Sequence, residues 1–394
     1  MIVGLCGSPS SGKSTFFKAA TLAEAEIGNY PFTTISKNVG FAYIKIDCVD
    51  VEFKVQCNPR EGYCVEGNRF VPVELIDVAG LVPGAHEGKG MGNQFLSDLN
   101  QADVLIHVVD VSGSTNDKGE VVEAGSYDPA NTIEFLEKEL DYWYLEILKK
   151  GWNKFARTLQ QTKAEPALAI AKQLSGLRVT EDMVKEAIKG LSDNPEYWKE
   201  EELLSLATKL RKRSKPLIIA ANKIDLEGAE KNYTKLQEQF PEHYIIPCSA
   251  ASELALREAA KKEIISYIPG EDHFEMKGEV TEQQKQGLEV IQKKVLEKHK
   301  TTGVQDTLNK AVLDILHYIA VFPGGVNNLT DKDGNVIPDC FLLPQGSTAL
   351  QFAFRIHQDI GSKFVKAIDV KTKRVIGKEH RLQNRDVIEI MVKK

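Results

Sequence analysis

The sequence predicts an α/β protein: a mostly parallel sheet with helices on both faces, broken by a helical insertion and followed by a small α+β domain of ubiquitin-like plan. Three observations carry that expectation. A short apolar run, Ile2 to Cys6, leads into Gly7-Ser-Pro-Ser-Ser-Gly-Lys-Ser-Thr15 and then a helical stretch, Phe16 to Ala25. Val104 to Asp110 reads as a buried parallel strand, and the next such strand, Pro216 to Ala221, lies about a hundred residues on, where a whole βαβ crossover takes about 30. From about Val326, short strand-like segments flank a single helix.

The chain has 394 residues, 42% hydrophobic and 27% charged, with a net charge of -6. That composition fits a soluble globular protein of several domains. The charge gives no global drive toward nucleic acid or an anionic membrane, so neither a DNA nor a membrane partner is expected. Ile2 to Cys6 lacks a basic flank and is too short for a signal or spanning segment, and a cytoplasmic location is the expectation.

Taken in order, the first element is the glycine-bracketed loop. G-x-x-x-x-G-K-S between a strand and a helix is the pattern of a phosphate-binding P-loop. Gly7 and Gly12 let successive amides turn inward, and the helix begun at Lys13 adds its positive end. The candidate phosphate cradle is Ser8, Pro9, Ser10, Ser11, Gly12, Lys13, Ser14 and Thr15. Lys13 would neutralise the β/γ-phosphates, and the Ser14 hydroxyl would ligate Mg²⁺. Tyr30-Pro-Phe-Thr-Thr-Ile35 follows as a loop in which Thr34 could reach the same ion. Val39 to Asp47, Val49 to Val55 and Phe70 to Ile76 read as strands, with an antiparallel pair at the sheet edge. The last of them runs into Asp77-Val-Ala-Gly80, where Asp77 would hold Mg²⁺ through water and the Gly80 amide would meet the γ-phosphate. Leu81 comes next and has no polar atom to orient a water. His86, in the glycine-rich stretch Gly84 to Gly92, is the candidate catalyst; an ordinary loop histidine is the equal alternative. His107, inside its apolar strand, is expected to be a core residue.

Between Asp110 and Pro216, four segments have helical spacing: Pro129 to Lys150, Ala164 to Leu174, Thr180 to Leu191 and Glu200 to Arg213. Trp143, Trp152 and Trp198 fall here, and filling a helical core is the expected role, against anchoring a partner. Pro216 to Ala221 leads into Asn222-Lys-Ile-Asp225, which reads guanine. The Asp225 carboxylate accepts from the base N1–H and exocyclic amine, and adenine presents the opposite pattern there. The Lys223 stem lies against the base, and Asn222 ties the loop to the P-loop. After the strand Ile245 to Cys248, Ser249-Ala250-Ala251 offers the Ala250 amide to the guanine O6.

Cys48, Cys57 and Cys64 cluster around the turn Asn58 to Gly62. No fourth ligand stands at zinc-site spacing, so reduced thiols near a hairpin are the expectation.

Ser252 to Ile268 reads as the closing helix, Pro269-Gly270 breaks it, and Thr281 to Lys300 and Gln305 to Tyr318 read as two more helices before a break at Phe322-Pro-Gly-Gly325. The tail places a strand at Val336 to Leu343, a helix at Ala349 to Gln358 capped from Ser347 or Thr348, and strands at Phe364 to Asp369, Arg374 to Ile376 and Val387 to Val392. The expected division is 1–112 and 216–268 for the nucleotide domain, 113–215 for the insertion, 269–325 for a helical linker and 326–394 for the tail domain. Lys363, Lys366, Lys371, Lys373, Arg374, Lys378, Arg381 and Arg385 crowd the tail, as a solvated face or an RNA-contacting patch.

Residues 1–268 resemble an Obg-superfamily, translation-factor-type GTPase, and are most similar to the archaeal YchF-related proteins and the DRG group. Tyr30-Pro-Phe-Thr-Thr-Ile35, Asp77-Val-Ala-Gly-Leu-Val-Pro-Gly-Ala-His86 and Gly92-Asn-Gln-Phe-Leu96 carry the likeness. Similar members have a helical insertion between the same two strands and an apolar residue where Leu81 stands. The tail resembles a TGS domain at Pro344, Gly346, Ser347, Thr348, Phe352-Ala353, Ile356-His357 and Asp386-Val387-Ile388. The resemblance implies a GTP-binding protein that slowly hydrolyses GTP to GDP and phosphate with Mg²⁺, as a switch on ribosomes or RNA. The alternative is an ATPase or dual-specificity switch of the YchF type with a stress or protein-binding role. YchF proper usually lacks Asn-Lys-x-Asp, and this chain keeps Asn222, Lys223 and Asp225. Ser10 stands where an Asn tied to potassium-stimulated hydrolysis is common, which puts potassium activation in doubt. A metabolic kinase would need an acceptor-substrate site, and no such constellation is visible.

Overall fold

The computed structural model describes residues 1–21, 39–78, 98–116 and 118–393. The main sheet begins with β1 (Ile2–Cys6), β2 (Val39–Asp47), β3 (Tyr63–Val65), β4 (Asn68–Asp77) and β5 (Val104–Asp110). It continues with β6 (Leu217–Asn222) and β7 (Ile245–Cys248), in the order β2-β4-β1-β5-β6-β7, with β3 also on β4. β4, β1, β5, β6 and β7 pair in parallel. β2 runs antiparallel to β4 along its whole length, from Val39↔Ile76 to Asp47↔Asn68, and forms the edge.

The two faces of this sheet can be read from residue alternation. Cys6, Leu105, Val109, Ile219 and Ala221 point into one core, shared with Leu140, Tyr144, Trp152 and Leu206 of the insertion. Val3, Leu5, Ile106, Val108 and Ile218 point into the other, with Phe16, Val304, Phe322, Ile337 and Val387. Helices therefore cover both faces. The insertion is welded to one face and the C-terminal elements to the other.

The insertion contains helices Ala130–Lys149, Trp152–Thr162, Pro166–Gln173, Glu181–Ala187 and Glu200–Ser214. Trp152–Thr162 was not expected. Thr180 caps the fourth, its hydroxyl accepting from the Met183 amide at 3.3 Å. All three tryptophans are buried, and Trp152 stacks on Trp198 at 5.7 Å, as the core reading expects.

Other differences have local causes. Val49 to Val55 is no strand but the short helix Asp50–Phe53, because the Asp50 carboxylate accepts the Cys57 amide at 3.3 Å and turns the chain. The closing helix spans Ala250–Lys261 and gives way to β8 (Ile265–Ser266), which pairs with β9 (Glu275–Met276). Helix Glu282–Ile291 continues by a π-turn at Gln292–Leu296 to Glu297–His299, and Val304–Asn309 by another at Lys310–Ile315. Then the chain extends into β10 (Tyr318–Pro323), where helix had been expected through Tyr318; its Ile319 to Phe322 run is wholly buried. β10 lies inside the C-terminal sheet, whose order is β11-β10-β14-β12-β13, with β11 (Phe341–Pro344), β12 (Phe364–Asp369), β13 (Arg374–Ile376) and β14 (Asp386–Val392). The sheet thus reaches back across the Pro-Gly-Gly break. Helix Ala349–Ile356 opens with a capping box between Thr348 and Gln351.

A buried ion cluster braces the insertion. Arg211, 1% exposed, donates to Asp141 at 2.7 Å and Glu137 at 3.0 Å, and His243 Nε2 lies 3.5 Å from Glu137. Burial alone would raise the Glu137 carboxyl, but His243 and Arg211 outweigh it and hold it down at about 2, against an ordinary 4.5. A depressed carboxyl contributes stability above its unfolded pKa and loses it as the folded pKa is crossed. Urea melts should therefore show stability falling between about pH 4.5 and about pH 2, by up to about 3 kcal/mol from this group. Glu137→Gln should flatten that part of the pH profile; an unchanged slope would remove Glu137 from the account.

Candidate functional site

The parallel strands end together, and their register brings Asp77 beside Leu5, Asp110 beside Asn222 and Asn222 beside Cys248. Ligand sites of open α/β sheets form at this edge. The loop leaving β1 is pressed so tightly that a Cβ on Gly7 would stand 2.6 Å from the Val108 carbonyl oxygen. Helix α1 (Lys13–Thr21) starts at Lys13, which leaves the amides of its first turn outside the helical ladder. Ser14 is exposed on that turn, and the Ser11 hydroxyl is buried with no hydrogen-bond partner among the described residues.

Asn222 is the tie expected from the sequence. Its Nδ2 donates to the Ser11 carbonyl at 2.8 Å, and its Oδ1 accepts the Ala250 amide at 3.0 Å. Gly12 has φ +92°, and a Cβ there would lie 2.1 Å from Asn222 Nδ2. Only glycine lets Asn222 reach the loop. The Ala250 amide, expected to meet the guanine O6, donates to Asn222 where it opens helix Ala250–Lys261. Ser249 is fully buried and caps that helix through Ser252, so its hydroxyl is committed to structure.

Lys223 adopts φ +64° and donates from Nζ to Asp110 Oδ2 at 2.8 Å. Asp110 also accepts from the hydroxyls of Ser112, Ser114 and Thr115. Burial works to raise its carboxyl, but Lys223 and the hydroxyls of Ser112 and Thr115 hold it below its usual range. Asp225 sits half-buried in the following turn, closed by the Leu226 amide on the Lys223 carbonyl, with no side-chain partner among the described residues. Lys13 Nζ pairs with Asp77 and donates to the Val78 carbonyl at 3.0 Å. Ser10, at φ +61°, donates to the Gly119 carbonyl at 3.0 Å, and Gly119 packs so closely that a Cβ added there would meet Pro9 at 2.5 Å.

Thr34, Gly80, Leu81, His86 and Gly92 to Leu96 lie outside the described residues. His107 is a core residue; burial holds its imidazole neutral, at about 3. Two features went unread in the sequence. The Asp110 hub was signalled by Asp-x-Ser-x-Ser-Thr closing an apolar strand. The cover from Gly119 was not foreseeable, since it joins Ser10 to a residue 109 positions away. In the tail, Lys371 and Arg385 pair with Glu52 of the nucleotide domain, so these two do not belong to a free basic face. Lys366, Lys373 and Arg374 are exposed and form no ion pair among the described residues.

Three family models match the chain. One described as 50S ribosome-binding GTPase covers residues 2–138, one described as Obg-like GTPase YGR210-like, G4 motif-containing domain covers 220–326, and a TGS domain covers 326–392. An uncharacterized GTP-binding protein of Methanocaldococcus jannaschii is 49% identical over 99% of this chain and 98% of its own length. The ribosome-binding ATPase YchF of Bacillus subtilis is 31% identical over 67% of this chain and 70% of its own. The crystal structure of a GTP binding protein from Pyrococcus horikoshii, 38% identical, superposes over 100% of both chains with a TM-score of 0.77. The Schizosaccharomyces pombe YchF GTPase has the same fold, with a TM-score of 0.59 at 21% identity over 99% of this chain and 97% of that one.

Asn222→Ala strands the Ser11 carbonyl and the Ala250 amide in a buried site, at about 1–3 kcal/mol each. Denaturant unfolding should register a loss of at least about 2 kcal/mol, together with weakened nucleotide binding. Loss of binding with stability intact would mean that Asn222 touches the ligand and is not the clamp.

Proposed function

This chain belongs to the Obg-like, YchF-related GTPases, and we propose that it binds GTP, hydrolyses it slowly and works as a nucleotide-dependent switch on ribosomes or RNA. The observation that carries the guanine reading is the joint placement of Asn222, Lys223 and Asp225. Asn222 fixes the base loop to the P-loop, Asp110 holds the Lys223 ammonium back so that its stem forms a wall, and the Asp225 carboxylate is left to the base. A carboxylate accepts from two guanine donors and meets an acceptor and no matching donor on adenine.

Mg²⁺ fits the donors at the phosphate end. The Ser14 hydroxyl opens α1 and the Asp77 carboxylate ends β4, next to β1 in register. A bound Mg²⁺ would neutralise charge on the β- and γ-phosphates. Lys13 would exchange its Asp77 contact for phosphate oxygens, and Thr34 is the further ligand candidate. Leu81 cannot orient water, so a slow intrinsic rate follows, with His86 as the candidate catalyst and the Gly80 amide as the γ-phosphate contact. The ribosome reading is supported by the names of relatives and by the TGS domain. The ATPase alternative is supported by the names of the Bacillus subtilis protein and of Obg-like ATPase 1 from Gallus gallus, 29% identical over 68% of this chain. Asp225 speaks against it.

Competition titration should give guanine nucleotides at least roughly tenfold tighter binding than adenine nucleotides, since a mispaired buried polar group costs about 1–3 kcal/mol. Asp225→Asn should move preference toward xanthine nucleotides. Equal GTP and ATP affinities would hand the case to the ATPase reading.

For the partner, sedimentation with ribosomes in GDP and in a non-hydrolysable GTP analogue should show nucleotide-dependent association that weakens as salt rises. Reversing Lys366, Lys373 and Arg374 to glutamate should weaken it further. Full binding by that triple variant at low salt would move the contact away from the tail.

A further inference from the structure

The turn after β2 gathers three thiols and a carboxylate that the nucleotide site does not use. Cys48 follows β2, Asp50 opens the helix Asp50–Phe53, Cys57 lies on the loop and Cys64 on β3. One donor atom from each lies within 4.8 Å of all the others, and all but Cys64 are buried. Cys48 Sγ and Cys57 Sγ are 3.6 Å apart. Four ligands at zinc–sulfur bonds of about 2.3 Å put neighbouring sulfurs about 3.8 Å apart in a tetrahedron. Asp50 supplies a fourth donor atom that the cysteine spacing alone did not reveal.

A second observation points to an ion. Asp50 is 3% exposed, and its Oδ1 is buried with no hydrogen-bond partner among the described residues. Its Oδ2 already accepts the Cys57 amide at 3.3 Å and lies 3.6 Å from Cys64 Sγ. A buried carboxylate beside three thiols, with one oxygen lacking a partner among the described residues, is costly unless a cation takes it. Arg69, 1% exposed, points Nη1 at Cys57 Sγ from 3.6 Å. A buried guanidinium there offsets the excess negative charge that three thiolates and a carboxylate leave on a divalent ion.

We propose that Cys48, Asp50, Cys57 and Cys64 bind one zinc ion. Three soft thiolates select zinc over magnesium or calcium. Four protein donors close the coordination sphere, so the site is structural. On binding, the three thiols lose their protons to solvent and each sulfur donates an electron pair to the metal.

The site has a position that gives it a task. The loop between Cys57 and Cys64 carries Asn58 and Arg60, whose amides donate to the Val336 and Pro338 carbonyls at 3.0 Å each. Arg69 donates to the Ile337 carbonyl at 3.1 Å and the Pro338 carbonyl at 2.8 Å. The ion would fix the loop on which the C-terminal domain docks.

The test is metal content and cobalt substitution in the full chain, purified under reducing conditions. About one zinc per chain is expected, and the cobalt-loaded protein should show the visible bands of a tetrahedral site with thiolate charge transfer. Cys64→Ser should lose one thiolate's share of the charge-transfer intensity. Asp50→Asn should weaken cobalt binding by roughly tenfold or more while keeping all three shares. Cys340→Ala should change nothing, and chelation of wild type should lower Tm. The idea fails if reduced wild type neither retains zinc nor takes up cobalt tetrahedrally, if mass spectrometry finds Cys48 and Cys57 disulfide-bonded, or if Cys340→Ala loses intensity. The wild-type titration stands even if a cysteine variant does not fold.

Discussion

One buried carboxamide sets the geometry of the nucleotide edge. Asn222 joins the end of β6 to the Ser11 carbonyl and to the first amide of helix Ala250–Lys261. Both contacts are buried, so each would be expensive to leave unmade. Gly12 has to lack a side chain, since a Cβ there would lie 2.1 Å from Asn222 Nδ2, and the next residue after Asn222, Lys223, folds at positive φ and donates to Asp110. The Asn-Lys-x-Asp turn and the glycine-bracketed loop after β1 are therefore tied directly to each other.

The same sheet organises the rest of the chain by its two faces. Alternate residues of β5 and β6 feed different cores, one closed by the insertion and the other by the C-terminal elements. Neither appendage is a module on a tether. The insertion shares apolar contacts with Cys6, at the foot of the P-loop, and the tail sets Phe322 and Ile337 against the face that holds Phe16 of α1. A change at the nucleotide edge thus has packed side chains on both sides through which to be felt.

How much of this was legible in the sequence depended on how local the signal was. The P-loop, β5, β6, the Asn-Lys-x-Asp turn and the Thr348 cap are contiguous patterns with one physical reading, and all were visible. Features that join distant residues were not. β10 looked like the end of an amphipathic helix until the sheet claimed its apolar run, and Val49 to Val55 alternated like a strand while Asp50 bent it. The basic tail was visible as composition, but that Lys371 and Arg385 are engaged by Glu52 depends on docking across more than three hundred positions. Asp50 as a partner for three cysteines was hidden for the converse reason: aspartate is too common for its spacing to speak.

The strand order of the C-terminal sheet bears on how the chain is made. β14, Asp386–Val392, lies between β10 and β12, parallel to the first and antiparallel to the second. It follows the other strands of this sheet in chain order, yet without it the two strands on either side have no common neighbour. During translation the nucleotide domain can assemble around β1 to β7 while this sheet waits, its apolar residues Ala320 and Phe322 uncovered. A chain cut before Asp386 would leave β10 and β12 with open edges, a form that chaperones and proteases recognise.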